Sequence, residues 1–212
     1  MSICYFCGKD GADTDEEIPP RCFFPKGECQ NIIKVPAHLK CNQEWGDSIE
    51  YLRNQLAGVS AQTNKSAHSI LTTKGKRSLQ RNQPLLSKII SGLRRKIEIF
   101  SPAGIYLGSK PGIELDKGLL RKFVIHMVRG LYYHHTRSVL PEGTNITWKV
   151  QPTGEAPEWI TKSPIIEIHK DVFRYRYKII DDHPEWSTWI LGFYELSVGT
   201  ILAITGNEQK DA

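Results

Sequence analysis

Two ligand pairs stand out at the start of the chain, Cys4-x-x-Cys7 and His38-x-x-Cys41, separated by 30 residues. Thiolate and imidazole are groups that zinc prefers, and two such pairs fill its tetrahedral, four-coordinate shell. Four protein ligands leave no position for water, so the spacing predicts a structural zinc site. Gly8 suits the tight turn after Cys7, and Pro36 stiffens the approach to His38. All five cysteines, including Cys22 and Cys29, fall within the first 41 residues. An odd number crowded at one end argues for metal binding over a disulfide framework. Two other readings stay open at this point: Cys22 or Cys29 as fourth ligand in place of His38, or ordinary buried thiols beside an incidental histidine.

The elements that must hold these ligands are partly readable. Asn31–Val35 is a short β-rich run stopped by Pro36. After Cys41, the residues Trp45, Ile49, Leu52 and Leu56 recur at helical spacing, with Gly58 placed to stop the helix. Residues 60–83 have little periodicity and read as a loop. Pro84–Ile99 offers Leu85, Leu86, Ile89, Ile90, Leu93 and Ile97 as the apolar face of an amphipathic helix. Farther on, Leu119, Leu120, Phe123, Val124, Met127, Val128 and Leu131 predict a long helix with Asp116 as its N-cap. Strands are expected at Thr144–Val150, Pro164–His169, Val172–Ile180, Thr188–Tyr194 and Thr200–Thr205, joined by connections short enough for antiparallel pairing.

Charge is unevenly distributed. From Tyr51 to Ile97 there is no Asp or Glu but ten Lys or Arg, so the rest of a chain of net charge +5 carries −5. Such a field attracts polyanions in a salt-dependent way. Lys74, Lys76, Arg77, Arg81, Arg94, Arg95 and Lys96 are the expected nucleic-acid contacts; the competing reading is a solvated basic linker. No run approaches the roughly 18 apolar residues needed to span a bilayer. Cys4 also lies too near the first residue for a signal peptide to precede it. The expectation is therefore a cytoplasmic protein with no membrane association.

Between the ligand pairs lie Thr14-Asp15-Glu16-Glu17-Ile18-Pro19-Pro20, then Phe23-Phe24-Pro25-Lys26, Asn31-Ile32-Ile33 and Val35-Pro36, with Asn42 directly after Cys41. In this order and spacing, residues 4–57 resemble the zinc-knuckle members of the HNH endonuclease family, which have the ββα-metal fold. A looser likeness, to a C-terminal region carried by some members, covers Val128–His135 and Phe173–Arg176. The resemblance implies one Mg2+ or Mn2+ ion against the scissile phosphate, with Glu16 as its acidic ligand and Asn42 as a ligand from the helix side. Asn31 falls on the residue that orients the general base, and Glu17 falls on the catalytic His itself. That substitution is a real departure. A His titrates near neutrality, whereas a carboxylate beside a cation is a weaker base still. Two adjacent carboxylates nonetheless suit a hard, oxygen-preferring ion. His38 in place of a cysteine is a second departure, which zinc tolerates. A third is the lack of any histidine between Asn42 and His68. Without the resemblance, Glu16 and Glu17 read as part of a solvated acidic loop.

Other features invite blander readings. His134 and His135 point about 100° apart on a helix and so rarely share an ion; they are expected at a surface or interface, and His126 is not joined to them. Trp148, Trp159, Trp186 and Trp189 are expected in the core of the sheet. Arg174, Arg176 and Lys178 form one stripe of a strand that either contacts phosphate or is solvated. No Gly-rich phosphate loop and no Ser/His/Asp constellation is present.

The whole is expected to be α+β. A zinc-stapled, HNH-like module over residues 1–57 precedes a basic connector and helix over 58–100 and an α+β domain over 101–212. The expected function is action on nucleic acid, DNA above all, by a metal-dependent phosphodiester endonuclease with a degenerate site. The alternative is an inactive zinc module that binds DNA or RNA, or a protein partner.

Overall fold

The computed structural model describes residues 2–29, 31–101, 103–151, 156–194 and 200–206. The fold is mixed α+β, and each sheet in it is antiparallel. Strands β1 (Thr14–Ile18) and β2 (Ile33–Ala37) form a hairpin in which Glu16 lies opposite Val35 and Glu17 opposite Lys34. Period-two alternation sets its faces: Glu16, Ile18, Ile33, Val35 and Ala37 are buried, while Asp15 and Lys34 are exposed. Helix α1 (Leu39–Gln43) and helix α2 (Gly46–Ser60) follow, α2 running two residues past the expected stop at Gly58.

The expected loop at 60–83 is instead mostly helical. It forms α3 (Lys65–Ile70), a π-helical turn at Leu71–Gly75 and α4 (Lys76–Arg81). Two asparagines organise the segment as N-caps. The Asn64 side chain accepts a hydrogen bond from the Ala67 amide at 2.8 Å, and Asn82 accepts one from Leu85 at 3.0 Å, opening α5 (Gln83–Ser91). Glu50 of α2 ties the segment down by accepting from Ser78 Oγ at 2.5 Å and Asn82 Nδ2 at 3.3 Å.

The expected helix at 84–99 is also corrected. It ends at Ser91, and β3 (Leu93–Phe100) pairs with β4 (Tyr106–Ile113) in a separate hairpin. Gly92 explains the break: a Cβ there would lie 2.6 Å from the Glu114 carbonyl oxygen, so the chain turns where only glycine fits. Ile97 and Ile99 then favour a pleated strand.

Helix α6 (Lys117–Thr136) is the centre of the molecule. The Asp116 side chain caps it, accepting from Leu119 N at 2.9 Å, and Leu120, Phe123, Val124, Met127, Val128 and Leu131 are buried. Beyond it, β5 (Asn145–Gln151), β6 (Ile166–His169), β7 (Phe173–Ile180), β8 (His183–Phe193) and β9 (Thr200–Gly206) form one sheet in the order β5-β9-β8-β7-β6. The short helix α7 (Glu158–Thr161) precedes β6. Each of the five expected C-terminal strands is present. Trp189 is buried, whereas Trp159 and Trp186 are exposed, so the tryptophans divide between core and surface. In the basic stripe of β7, Arg176 donates to the carbonyls of Thr161 and Ser163, and Lys178 lies over the Trp159 ring.

One apolar core unites these parts. Phe23, in the loop between β1 and β2, packs on Phe123 of α6 and Phe193 of β8, with ring centroids 5.6 and 5.2 Å away. Tyr194 Oη donates to the Phe23 carbonyl at 2.7 Å. No helix among the described residues is long and apolar enough to cross a membrane.

Candidate metal centre

The Cys4–Cys7 turn is held by backbone geometry. Gly8 has φ of 73° and donates its amide to the Cys4 carbonyl at 2.9 Å, while Cys4 N donates to Lys9 O at 2.9 Å. A left-handed φ suits glycine, which has no Cβ to clash. Tyr5 N donates to the Pro36 carbonyl at 2.9 Å and so brings the turn beside the end of β2. His38 directly follows β2 and is the N-cap of α1, which carries Cys41. Asp13 Oδ1 accepts from Leu39 N at 2.8 Å and satisfies one of the free amides of that helix end. The hairpin and the start of the helix thus bring the two ligand pairs together.

The ligand atoms of Cys4, Cys7, His38 and Cys41 all lie within 4.8 Å of one another. With Zn–S near 2.3 Å and Zn–N near 2.0 Å, tetrahedral ligand atoms stand roughly 3.5–4 Å apart, so this group can hold a metal ion such as zinc. His38 Nδ1 lies 3.3 Å from Cys7 Sγ, and Nε2 donates to the Asp10 carbonyl at 3.0 Å. That second contact puts the proton on Nε2 and leaves the Nδ1 lone pair for a metal, the usual outer support of a ligating histidine. The amide of His38 points at Cys4 Sγ from 3.4 Å. Burial, then the neighbouring charge of Cys4, pushes the Cys41 thiol up to about 12; burial also opposes ionisation of Cys4, but backbone hydrogen bonds at Cys7, His38 and Phe6 outweigh it and bring the Cys4 thiol down to about 7. A bound cation would favour the thiolate form of both. Cys22 and Cys29 take no part in the group.

The turn is anchored to α6 through aromatic side chains. His126 is buried and stacks against Phe6 with centroids 3.9 Å apart and against Trp45 at 4.6 Å. Its Nδ1 lies 3.0 Å from Tyr5 Oη, and its Nε2 is buried without a partner. Burial lowers its pKa to about 3, so the ring is neutral. Arg129 donates to the Phe6 carbonyl at 3.1 Å and lies over the Phe6 ring. Tyr5, Phe6 and His126 were not readable as partners, because no pattern within one segment reports a contact between residues 120 apart.

The expected catalytic residues sit differently. Glu16 is buried, and its Oε2 accepts a hydrogen bond from Trp45 Nε1 at 3.2 Å. Burial raises its pKa to about 7, offset in part by that hydrogen bond. Glu17 lies on the other side of the strand, ion-paired with Arg21 at 2.8 Å and accepting from the Arg21 amide at 3.2 Å. Asn42 Nδ2 donates to the Asp15 carbonyl at 3.2 Å, and Asn31 is exposed in the approach to β2. Among the described residues, the Cys/His group is the only set of three or more Cys, His, Asp or Glu side chains close enough to hold an ion. Glu16 and Glu17 do not form a second one, so a Mg2+ or Mn2+ site finds no support in their placement.

The expected nucleic-acid contacts are dispersed. Lys74 is half-buried and donates to the carbonyls of Phe24 at 2.7 Å and Arg21 at 3.4 Å, pinning the π-turn to the loop after β1. Desolvation lowers its pKa. Lys76, Arg77 and Arg81 are exposed on α4, with Arg77 and Arg81 one turn apart. Arg94 pairs with Glu114 and Lys96 with Glu98, while Arg95 is exposed on β3. Arg53 of α2, one of the ten cations of the stretch from Tyr51 to Ile97, is only 8% exposed; its Nε and Nη2 are buried without hydrogen bonds, and a Glu50 carboxylate oxygen lies 4.0 Å from Nη2.

Comparison with protein-family models, with curated proteins and with solved structures returns no match.

Proposed function

We propose that this chain is an HNH-like, zinc-stapled module that binds nucleic acid, most readily duplex DNA, without cutting it. One observation carries the loss of cutting: Glu16, the residue that the family likeness assigns to the catalytic metal, faces the core and is held by Trp45. A carboxyl whose pKa is raised by burial resists the charged state that a Mg2+ ligand requires. Glu17, where the family has its general base, is engaged by Arg21. The order of hairpin, ligand-bearing α1 and α2 supports the HNH-like reading, and zinc is the ion best suited to three thiolates and one imidazole. The zinc is structural in this reading. It fastens the first turn to the end of the hairpin.

Binding is assigned to α4 and its surroundings. Among the described residues, Lys76, Arg77 and Arg81 form no ion pair with a carboxylate, and the stretch from Tyr51 to Ile97 contains no acid. Exposed, unneutralised cations of this kind bind phosphates with release of counterions. The test of the non-cutting half is incubation of supercoiled plasmid with Mg2+ or Mn2+. The expected result is no nicking beyond that of Cys41→Ser protein; nicking that Glu17→Ala abolishes would overturn it.

A further inference from the structure

The face of the five-stranded sheet turned away from α6 is only partly covered. Ile160 of α7 packs there on Ile190 and Leu202, and Arg176 fastens the end of α7 by donating to the carbonyls of Thr161 and Ser163. One row farther along, Thr147, Ile204, Thr188 and Lys178 lie side by side across β5, β9, β8 and β7. Two exposed tryptophans flank this row. Trp159 of α7 is 47% exposed and has Lys178 Nζ 5.9 Å from its ring centroid. Trp186, 37% exposed, is two residues before Thr188 in β8 and so projects from the same face. It stands one strand over and two residues along from Lys178, roughly 8 Å between Cα atoms. Its ring lies over Gly206, where a Cβ would meet Cε3 and Cζ3 at 3.2 Å, so the absence of a side chain there lets the ring settle on the sheet.

We propose that this row is a binding site for single-stranded nucleic acid, in which Trp159 and Trp186 stack on bases and Lys178 and Lys149 contact phosphates. Two observations select that occupant. The first is charge. Along the regular register, the outward residues of the sheet include Lys149, Arg174, Arg176 and Lys178 but a single acid, Glu167. Lys149 and Lys178 are exposed and form no ion pair with a described residue. Glu158, next to Trp159, is held by Lys162 at 2.8 Å, and Asp181 and Asp182 lie beyond the row, in the turn between β7 and β8. The second is the pairing of flat rings with cations. Every base has a face that stacks on an aromatic ring, and lysines beside the ring follow the backbone, so such a surface binds without regard to sequence. A duplex hides the faces of its bases, whereas unpaired bases splay out onto aromatic side chains, which makes the occupant a single strand. This site is separate from α4 and does not depend on duplex binding there.

The test is titration of the full chain with labelled oligothymidylate, about 20 nucleotides long and unable to form a duplex. Wild type is expected to bind it with quenching of tryptophan fluorescence. Trp159→Leu and Trp186→Leu are each expected to bind at least about fivefold more weakly. Trp186→Phe keeps an aromatic face and should bind within about twofold of wild type. The leucine variants should lose at least as much in protein that also carries Lys76→Ala/Arg77→Ala/Arg81→Ala, because α4 is a different site. Both tryptophans are exposed, so the fold is expected to survive. Should circular dichroism show otherwise, Lys149→Ala/Lys178→Ala gives a second reading: weaker binding, with a log–log salt slope shallower by about one. No binding of oligothymidylate at low salt overturns the proposal. So does binding indifferent to the leucine variants, or binding that Trp186→Phe weakens as much as Trp186→Leu. None of these outcomes bears on whether α4 binds duplex DNA.

Discussion

Trp45 Nε1 donates to Glu16 Oε2 at 3.2 Å inside the protein, joining the start of α2 to the middle of β1. The ring of Trp45 also stacks on His126 of α6, so the pair sits where the first hairpin, α2 and α6 converge. A carboxyl there is a structural acceptor, and its pKa is raised to about 7, above its ordinary value of 4.5. The folded state therefore holds a proton that the unfolded state releases, and stability falls as pH rises from about 4.5 to about 7. Glu16→Gln keeps an acceptor for Trp45 and has no charge to bury. It is expected to stabilise the protein by on the order of 2–3 kcal/mol at pH 8 and by little at pH 5, relative to wild type. Urea denaturation at the two pH values measures this; an equal effect at both would remove the buried-proton account.

The metal group yields a prediction independent of nucleic acid. Cys41→Ser removes one of the four side chains placed to hold a metal, and a structural zinc there would contribute folding energy directly. The variant should lose stoichiometric zinc and melt roughly 10 °C or more below wild type. A chelator should lower the wild-type Tm and leave that of the variant nearly unchanged. Elemental analysis and thermal denaturation test both. Cys22→Ser, outside the group, should retain its zinc.

Close packing between α6 and β1 can be tested at Gly130. A Cβ at that position would lie 2.6 Å from Ile18 Cγ1 and 2.7 Å from Ile18 Cδ1. Gly130→Ala should cost about 1–3 kcal/mol by overpacking, despite alanine's better helix propensity. Ile18→Val shortens the opposing side chain and should recover part of that loss, so the pair is non-additive. Urea denaturation of the two single variants and the double variant gives the coupling energy.

The grouping of Cys4, Cys7, His38 and Cys41 was legible because a metal site constrains residue type and spacing together. The long helix and its Asp116 cap were legible from an uninterrupted apolar face, and the last five strands from alternation between turns. Residues 60–83 were not, because their helices are short and held by polar contacts: the caps of Asn64 and Asn82, the Glu50 network and the Lys74 amine on two carbonyls. The asparagine caps were the available signal. The period of residues 84–99 misled because Leu93 and Ile97 continue a helical pattern that Gly92 interrupts. Burial of Glu16 was hidden, since an acidic cluster in the sequence does not say which carboxylate faces inward; β1 turns Asp15 out and Glu16 in.

The central claim is tested most directly by titrating a fluorescent duplex DNA with wild type and with Lys76→Ala/Arg77→Ala/Arg81→Ala across a range of salt concentrations. The account predicts wild-type binding that weakens steeply with salt. It predicts that the triple variant binds at least about tenfold more weakly, with a log–log salt slope shallower by about two to three and with zinc and Tm unchanged. Binding of the same strength and slope by both proteins, or no binding by wild type at low salt, would contradict it.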